Sequence, residues 1–112
     1  MSCVIEVRTY RAKPGKRTEL LAILREQAFP VQRRLGVKLL GPLPATEDDV
    51  SFVWLRAFPD EASREPLKSA FYEGPEWTGE LEAKVMPLLD GYGAVVVADT
   101  AGLWDAWPAA AS

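Results

Sequence analysis

The chain has 112 residues, 48% of them hydrophobic, and a formal net charge of −3 with acidic and basic residues interspersed. A chain of this length folds as one domain with its own apolar core. The charge balance provides no basic patch for nucleic acid or for a membrane surface, so the expected partner is a small or neutral molecule.

The cysteine content and the first residues indicate the compartment. Cys3 is the only cysteine, so no disulfide can form within the chain. The opening residues, MSCVIEVRTY, lack the apolar segment and cleavage site of a signal peptide. No apolar run is long enough to cross a bilayer. We therefore expect a cytoplasmic protein.

Two absent residue types restrict the chemistry. The chain contains neither histidine nor asparagine. Without histidine there is no Ser-His or Cys-His nucleophile pair and no histidine ligand for haem or zinc. Proton transfer would have to use a carboxylate, a tyrosine or a lysine. The phosphate-binding patterns GxxxxGK[ST] and GxGxxG are also absent, so no metal or organic cofactor is predicted.

The first half of the chain begins with a strand and a helix. Apolar and polar side chains alternate from Cys3 to Arg11, which predicts a strand. An amphipathic helix opens at Pro14-Gly15 and ends at Gly36, with leucines at helical spacing on one side. Pro30 lies within this helix and has no N–H for the carbonyl of Glu26. We expect a kink or a break there.

Two strands follow this helix. Residues Val37 to Leu43 read as a short strand, closed by Pro42 and Pro44. A polar turn at Ala45 to Asp49 leads into the strand Val50 to Phe58, where the alternation is strong.

A second helical region separates this strand from the last one. Pro59 and Asp60 begin a helix with Asp60 as its N-cap, Pro66 is expected to interrupt it, and Gly74-Pro75 ends it. A third helix is predicted over Glu76 to Asp90.

The final segment is a turn, a strand and a tail. Gly91 to Gly93 read as the turn, and Ala94 to Asp99 as a strand buried on at least one face. The domain is thus placed at 1–99 and a tail at 100–112. In the tail, Trp104 and Trp107 are expected to cap a barrel mouth or a partner subunit.

The element order is βαββαβ, which is typical of the α+β ferredoxin-like fold with a four-stranded antiparallel sheet. In that fold the first and third strands are central, antiparallel neighbours. The two most strongly patterned strands should therefore lie side by side.

These two strands have two contrasting faces. One face carries aliphatic and small side chains: Ile5, Val7, Thr9, Val53, Leu55 and Ala57. The other carries rings and charges: Glu6, Arg8, Tyr10, Phe52, Trp54, Arg56 and Phe58. We expect the helices to pack on the aliphatic face. We expect a second copy of the chain to cover the ring-and-charge face, since so much aromatic surface is rarely left in water. The resulting homodimer would enclose a chamber for a hydrophobic small-molecule ligand.

Three segments together are typical of one known family: IEVRTYRAKPGKRTELLAIL at Ile5 to Leu24, FVWLRAFPDEASRE at Phe52 to Glu65 and FYEGPEW at Phe71 to Trp77. They resemble the NIPSNAP family of the dimeric α+β-barrel superfamily. The resemblance extends over about residues 4 to 99, and its R-T-Y-x-x-x-P-G-K opening at Arg8 to Lys16 is fairly specific. It implies a homodimer whose two sheets pack face to face. Neighbouring families include cofactor-free oxygenases of aromatic polyketides, lactone isomerases and haem-degrading enzymes, so the resemblance does not name a reaction.

The charged candidates admit two interpretations. Arg8 and Arg56 would clamp an anionic or enolate oxygen inside a chamber that contains little water. Alternatively, Glu6 pairs with one of them simply to neutralise a buried charge. Glu6 is also the best-placed general base, because burial raises a carboxyl pKa, although an adjacent arginine lowers it again. The two interpretations are compatible.

The aromatic candidates also have alternative roles. Tyr10 would donate a hydrogen bond or a proton to substrate, or it would close the end of the barrel. Phe52 and Trp54 would form a ring-stacking wall or part of the core, with Trp54 the stronger candidate for the wall. Tyr72 and Trp77 flank the Gly74-Pro75 break, where they would gate the chamber or pack against the sheet.

The leading functional hypothesis is a cofactor-independent oxygenase or isomerase that acts on a hydrophobic aromatic or polyketide-like substrate. The alternative is a non-catalytic binding or scaffolding homodimer, in which the inner charges form a structural ion-pair network. A cavity on the order of 300 Å³ beside the candidate residues would favour the enzyme.

Overall fold

A computed structural model describes residues 3–105. Its strands are β1 (Val4–Ala12), β2 (Lys38–Pro44), β3 (Ser51–Phe58) and β4 (Leu89–Ala98). They form an antiparallel sheet in the order β2-β3-β1-β4. This is the predicted ferredoxin-like α+β arrangement, and β1 and β3 are its central neighbours.

The first helical region continues past its proline. Helices α1 (Arg17–Ile23) and α2 (Phe29–Arg34) are joined by a π-helical turn over Leu24–Ala28. Pro30 cannot donate a backbone hydrogen bond, and the irregular turn lies directly before it. The predicted disturbance at this proline is thus a local change of helix type.

Helix α3 (Glu61–Tyr72) begins as predicted, because the Asp60 carboxylate accepts a 2.8 Å hydrogen bond from the backbone nitrogen of Ser63. The expected interruption at Pro66 is wrong, since the helix runs through it. Pro66 removes one backbone hydrogen bond to the carbonyl of Ala62. Both residues are exposed, so water can bind that carbonyl instead.

The third predicted helix is shorter and less regular than expected. A π-helical turn (Trp77–Leu81), helix α4 (Glu82–Val85) and a 3₁₀ turn (Met86–Leu88) lead directly into β4. The turn predicted at Gly91 to Gly93 is instead part of β4, where Gly93 lies opposite Thr9 of β1. A Cβ atom at Gly93 would lie 3.4 Å from the Thr9 hydroxyl oxygen, which is an ordinary van der Waals contact.

The helices cover the ring-and-charge face of the sheet, which is the reverse of the prediction. Phe52 and Trp54 are only 1% and 2% exposed and belong to the same core as Leu24 and Phe29 of the first helical region. The rings of Phe29 and Trp54 are 5.2 Å apart. Large rings fill the wide space between helix and sheet, whereas the short aliphatic side chains point away from the helices.

We call the opposite side of the sheet the open face. On strands β1, β3 and β4 its members include Val7, Val53, Leu55, Val95 and Val97. On β4, Val95 is 61% exposed on this face and Val96 is 43% exposed on the other, so the expected burial of this strand on at least one face is wrong for the single chain. The helices do not extend over this edge strand.

The described part of the tail packs on one end of the open face. Trp104 is buried against Ile5 and Ala57, and its backbone nitrogen donates a 2.9 Å hydrogen bond to the Asp99 carboxylate. Trp107 lies outside the described residues. Within residues 3–105, no helix has both the length and the apolar character that crossing a bilayer requires.

Candidate active site

A cavity of about 400 Å³ lies between the ring-and-charge face and the helices. The sheet contributes Arg8, Tyr10, Trp54, Arg56 and Tyr92 to its walls, and the helical regions contribute Gln32, Lys68, Phe71, Tyr72 and Trp77. The chamber is therefore formed within one chain. The predicted chamber between two copies of this face is wrong, because the chain's own helices occupy that side.

Two arginines flank the ring of Trp54 on the cavity floor. The guanidinium carbon of Arg8 lies 5.3 Å from the centre of this ring, and that of Arg56 lies 5.1 Å from it. Both distances fall in the range of cation–π attraction. Arg8 and Trp54 are direct partners across β1 and β3, so strand register fixes this arrangement.

Glu6 lies beneath the cavity and binds both arginines. Its Oε1 accepts hydrogen bonds from Nη1 of Arg8 at 2.8 Å and from Nε of Arg56 at 2.7 Å. Its Oε2 lies 3.0 Å from Nη1 of Arg64 and 3.2 Å from Nζ of Lys68, both on α3. The expected neutralisation of buried charge is thus present, and it involves more cations than predicted.

These contacts make Glu6 a stable anion. Burial by itself would raise the pKa of Glu6, but the charge of Arg56, hydrogen bonds from Arg56 and Arg64, and the charge of Lys68 together lower it from 4.5 to about 2. A carboxylate with so low a pKa is a weak proton acceptor. The geometry therefore favours the ion-pair interpretation of Glu6 over the general base.

Positive charge remains in excess around the cavity. Glu61 and Glu65 lie at the surface near Arg64 and Lys68 and offset them. Arg8 and Arg56 still share the single carboxylate of Glu6. On the cavity-lining residues, three buried side-chain nitrogens lack a hydrogen-bond acceptor among the described residues, namely Arg8 Nε, Arg56 Nη2 and Trp54 Nε1. An unpartnered buried donor is costly, which makes this site receptive to an acceptor.

The arginines also donate to three neutral side chains on the cavity wall. Nη2 of Arg8 donates to the hydroxyl oxygen of Tyr10 at 3.3 Å. Nη1 of Arg56 donates to the hydroxyl oxygen of Tyr72 and to Oε1 of Gln32, both at 3.0 Å. Burial and the nearby Tyr72 raise the pKa of Tyr10, and the charge of Arg8 opposes this rise only in part. Tyr10 is therefore a neutral hydrogen-bond donor at physiological pH.

The structure brings most of the sequence candidates together. Arg8, Tyr10, Trp54, Arg56, Tyr72 and Trp77 line the cavity. Glu6 and Phe52 do not. Glu6 lies behind the arginines, and Phe52 is a core residue whose ring centre is 5.5 Å from that of Tyr10.

Sequence reasoning missed three polar residues of the site. Gln32 is 2% exposed and follows Ala28 by one helical turn on the apolar side of its helix, a position at which a polar residue is unusual. That signal was available in the sequence. Arg64 and Lys68 are one turn apart on α3 and resemble an ordinary solvated pair, and only the packing of α3 on β1 brings them to Glu6.

A second cavity, of about 520 Å³, lies near Cys3, Lys38, Asp99 and Trp104. Cys3 is half-buried there, and its thiol lies 3.6 Å from the Asp99 carboxylate. Within residues 3–105, no three His, Cys, Asp or Glu side chains are grouped so that they would hold a metal ion.

The fold and site together define a ferredoxin-like α+β protein with an internal, ring-walled and positively charged cavity. The NIPSNAP family model matches residues 5–91, and the chain belongs to the NIPSNAP family. No curated protein matches the chain.

Solved structures that share the fold include two NIPSNAP proteins and one protein of another description. An uncharacterised NIPSNAP domain protein from Burkholderia xenovorans is 23% identical, with a TM-score of 0.73 over 84% of this chain and 91% of that one. A NIPSNAP family protein of unknown function from Agrobacterium tumefaciens is 22% identical, with a TM-score of 0.75 over 87% of each chain. A candidate antibiotic biosynthesis monooxygenase from Nitrosomonas europaea is 13% identical, with a TM-score of 0.69 over 88% of this chain and 91% of that one. At these identities the likeness shows the fold alone.

Proposed function

We propose that this protein is a small-molecule enzyme that acts on a hydrophobic aromatic or polyketide-like substrate. The proposed reaction is a cofactor-independent oxygenation or isomerisation of the kind found in secondary metabolism. The observation that carries this proposal is the cavity of about 400 Å³ beside Trp54 and two buried arginines. Protein interiors are close-packed, so a purely structural ion-pair network would be expected to have side chains in this space.

The residues around the cavity have distinct proposed roles. Trp54, Tyr72 and Trp77 form the wall on which a flat substrate stacks, and Phe52 supports Tyr10 from the core. Arg8 and Arg56 stabilise negative charge that develops on a substrate oxygen, because charge stabilisation is strong where water is scarce. Tyr10 donates a hydrogen bond or a proton. Glu6 is proposed as a positioning residue that holds both arginines.

The assembly we propose is a homodimer formed through the open face. The support for it is the exposure of Val95 and Val97 beside the half-buried Val7 and Leu55, which together form an apolar surface on one side of the sheet. This interface differs from the one expected from the sequence, since it leaves the cavity inside each chain. The cytoplasm is the proposed compartment, and its support is the single cysteine.

The proposal is tested by ligand binding followed by turnover. Melting temperature is measured with hydroxynaphthoquinones, flavonoids and aromatic carboxylic acids, and compounds that raise it are then followed for oxygen consumption and for isomer formation. A ligand at about 100 times its Kd should stabilise the protein by about 2.7 kcal/mol. Trp54→Leu should abolish the effect, whereas Trp104→Leu, which removes a buried ring at the other cavity, should retain it. If no compound has an effect, the proposal fails.

The second candidate function is a non-catalytic binding or scaffolding dimer. It is favoured by the ion pairs of Glu6, which neutralise charge that would otherwise be unpaired in the core. Ligands that bind in the cavity without oxygen consumption or chemical change would support a binding protein. The absence of any bound ligand would support a scaffold.

A further inference from the structure

The hydrogen bonds from Arg8 and Arg56 determine which polar groups the cavity offers to a ligand. A hydroxyl oxygen that accepts a hydrogen bond from an arginine keeps its own hydrogen for another acceptor. This is the situation of Tyr10, which accepts from Arg8, and of Tyr72, which accepts from Arg56. The described residues supply no acceptor for either hydroxyl hydrogen.

The side chain of Gln32 also accepts a hydrogen bond from an arginine and keeps its own donor free. Its amide oxygen accepts from Nη1 of Arg56, so its amide nitrogen, which carries two hydrogens, is directed away from that guanidinium. Gln32 is 2% exposed and lines the cavity. The described residues supply no acceptor for this nitrogen.

These three groups are neutral donors, and each of them accepts a hydrogen bond from an arginine. A hydroxyl or amide that is bonded to a guanidinium is polarised, and such chains of hydrogen bonds strengthen one another. Glu6, the tyrosines and Gln32 take two of the five N–H groups of Arg8 and three of the five of Arg56, and both guanidinium groups lie close to the ring of Trp54. The cavity wall thus presents Tyr10, Tyr72 and Gln32 as polarised donors, beside the ammonium group of Lys68, which also lines the cavity and contacts Glu6.

We propose that the cavity binds its ligand through an anionic oxygen, that of a carboxylate or an acidic enol, held by Tyr10, Tyr72 and Gln32. This inference rests on the proposed function, since it takes the cavity to be the ligand site. It disfavours ligands that present an ammonium or amidine group to this wall, because Arg8, Arg56 and Lys68 surround it and the carboxylate of Glu6 is already bound to these cations. Gln32 and Tyr72 are the residues that distinguish this class of ligand.

The low basicity of the site agrees with this ligand class. Glu6 has a pKa of about 2 and Tyr10 is neutral, so neither removes a proton readily from a weakly acidic carbon. A substrate that is already an anion, or that becomes one in this positive field, needs no strong protein base. A substrate that ionises in the cavity releases its proton to water.

The test compares three probes that share one ring system and differ in one polar group. The probes are 2-naphthoate, 2-naphthalenemethanol and 2-naphthylmethylammonium, measured by isothermal titration calorimetry on the full chain. We expect 2-naphthoate to bind about tenfold or more tightly than the alcohol, the scale of one hydrogen bond to a charged group, and the ammonium probe to show no binding.

Variants without a charge change then identify the donors. Tyr72→Phe and Gln32→Met should each weaken 2-naphthoate binding about tenfold and change binding of the alcohol much less. Gln27→Met, in the same helical region but outside the cavity lining, is the matched control and should bind like the parent. Melting temperatures confirm that each variant folds, and each of the two cavity variants tests the proposal independently of the other.

The outcomes separate this inference from the proposed function. If the alcohol or the ammonium probe binds as tightly as 2-naphthoate, the anionic-ligand inference is overturned, while the cavity as a ligand site stands. If 2-naphthoate is preferred but neither cavity variant weakens it, the assignment of the donors is overturned. If none of the probes binds to the folded protein, both the inference and the proposed function are contradicted for ring compounds.

Discussion

Glu6 and Arg56 are direct partners across the two central strands, and the Glu6 Oε1 atom lies 2.7 Å from Nε of Arg56 with both side chains only 1% exposed. This pair connects the sheet to α3 through Arg64 and Lys68, and it connects the sheet to the cavity through Tyr72 and Gln32. Stability and ligand binding therefore depend on overlapping side chains, and the two must be measured separately.

The first prediction concerns acid stability. The pKa of Glu6 is about 2 in the folded chain and 4.5 in its ordinary state. Because the folded pKa is depressed, the stabilisation is complete above pH 4.5 and is lost as the pH falls toward 2, by about 3 kcal/mol in all. Urea denaturation measured from pH 6 to pH 2 should show this loss.

The control for this prediction is Asp60→Asn, which removes a half-buried carboxylate whose pKa is also lowered, by hydrogen bonds from Ser63. The loss of stability on acidification should persist in that variant. A Glu6 carboxyl resonance that titrates near pH 4.5 in the folded protein would contradict the prediction, and this NMR measurement does not require a destabilising variant.

The second prediction concerns the coupling of the central pair. Glu6→Gln leaves buried cations without a counter-charge and should destabilise the fold by about 3 to 5 kcal/mol. Arg56→Gln should cost less, about 2 kcal/mol, because Arg8, Arg64 and Lys68 still neutralise Glu6. The double variant should be more stable than the sum of the two losses predicts. Free energies of unfolding from urea titration check all three values.

An exposed ion pair of the same length provides the control. Arg34 and Glu76 are also 2.7 Å apart but lie at the surface, so Arg34→Gln should cost less than about 1 kcal/mol. Strict additivity of the Glu6 and Arg56 effects would show that the two side chains do not act as a unit.

The third prediction concerns assembly. Light scattering at micromolar concentration should give the mass of a dimer. Val95→Lys places a charge at the centre of the proposed apolar interface and should weaken association by about 2 kcal/mol or more. Val96→Lys, on the same strand but on the side of the sheet that carries Glu6, and 43% exposed, should leave the dimer intact. A folded, monomeric parent protein would contradict the proposed homodimer.

The fourth prediction concerns cofactors. We expect the purified protein to be colourless and its ligand binding to survive dialysis against a chelator, because the sequence offers no histidine and one thiol as soft metal ligands. Absorption spectra and elemental analysis provide the check. A stoichiometric haem, flavin or transition metal that is lost together with ligand binding would refute this expectation.

The sequence by itself determined the order of the elements and the grouping of side chains within each strand. Side chains alternate along a strand, so Glu6 and Arg8 had to share one face, as did Trp54 and Arg56. The βαββαβ order made β1 and β3 neighbours and brought these faces together, as the register of Glu6 opposite Arg56 confirms. Most of the candidate site followed from these two local rules.

The tertiary structure alone decided which face the helices cover. The alternation of side chains shows which residues share a face, but it does not show which face packs on the helices. Here both faces were apolar enough to be buried. The side on which a helix lies depends on the crossover from β1 to β2 and on the volume to be filled, and both are properties of the assembled layers. For the same reason the sequence did not reveal that Arg64 and Lys68 reach Glu6, since residues this far apart along the chain meet only when α3 packs on the sheet.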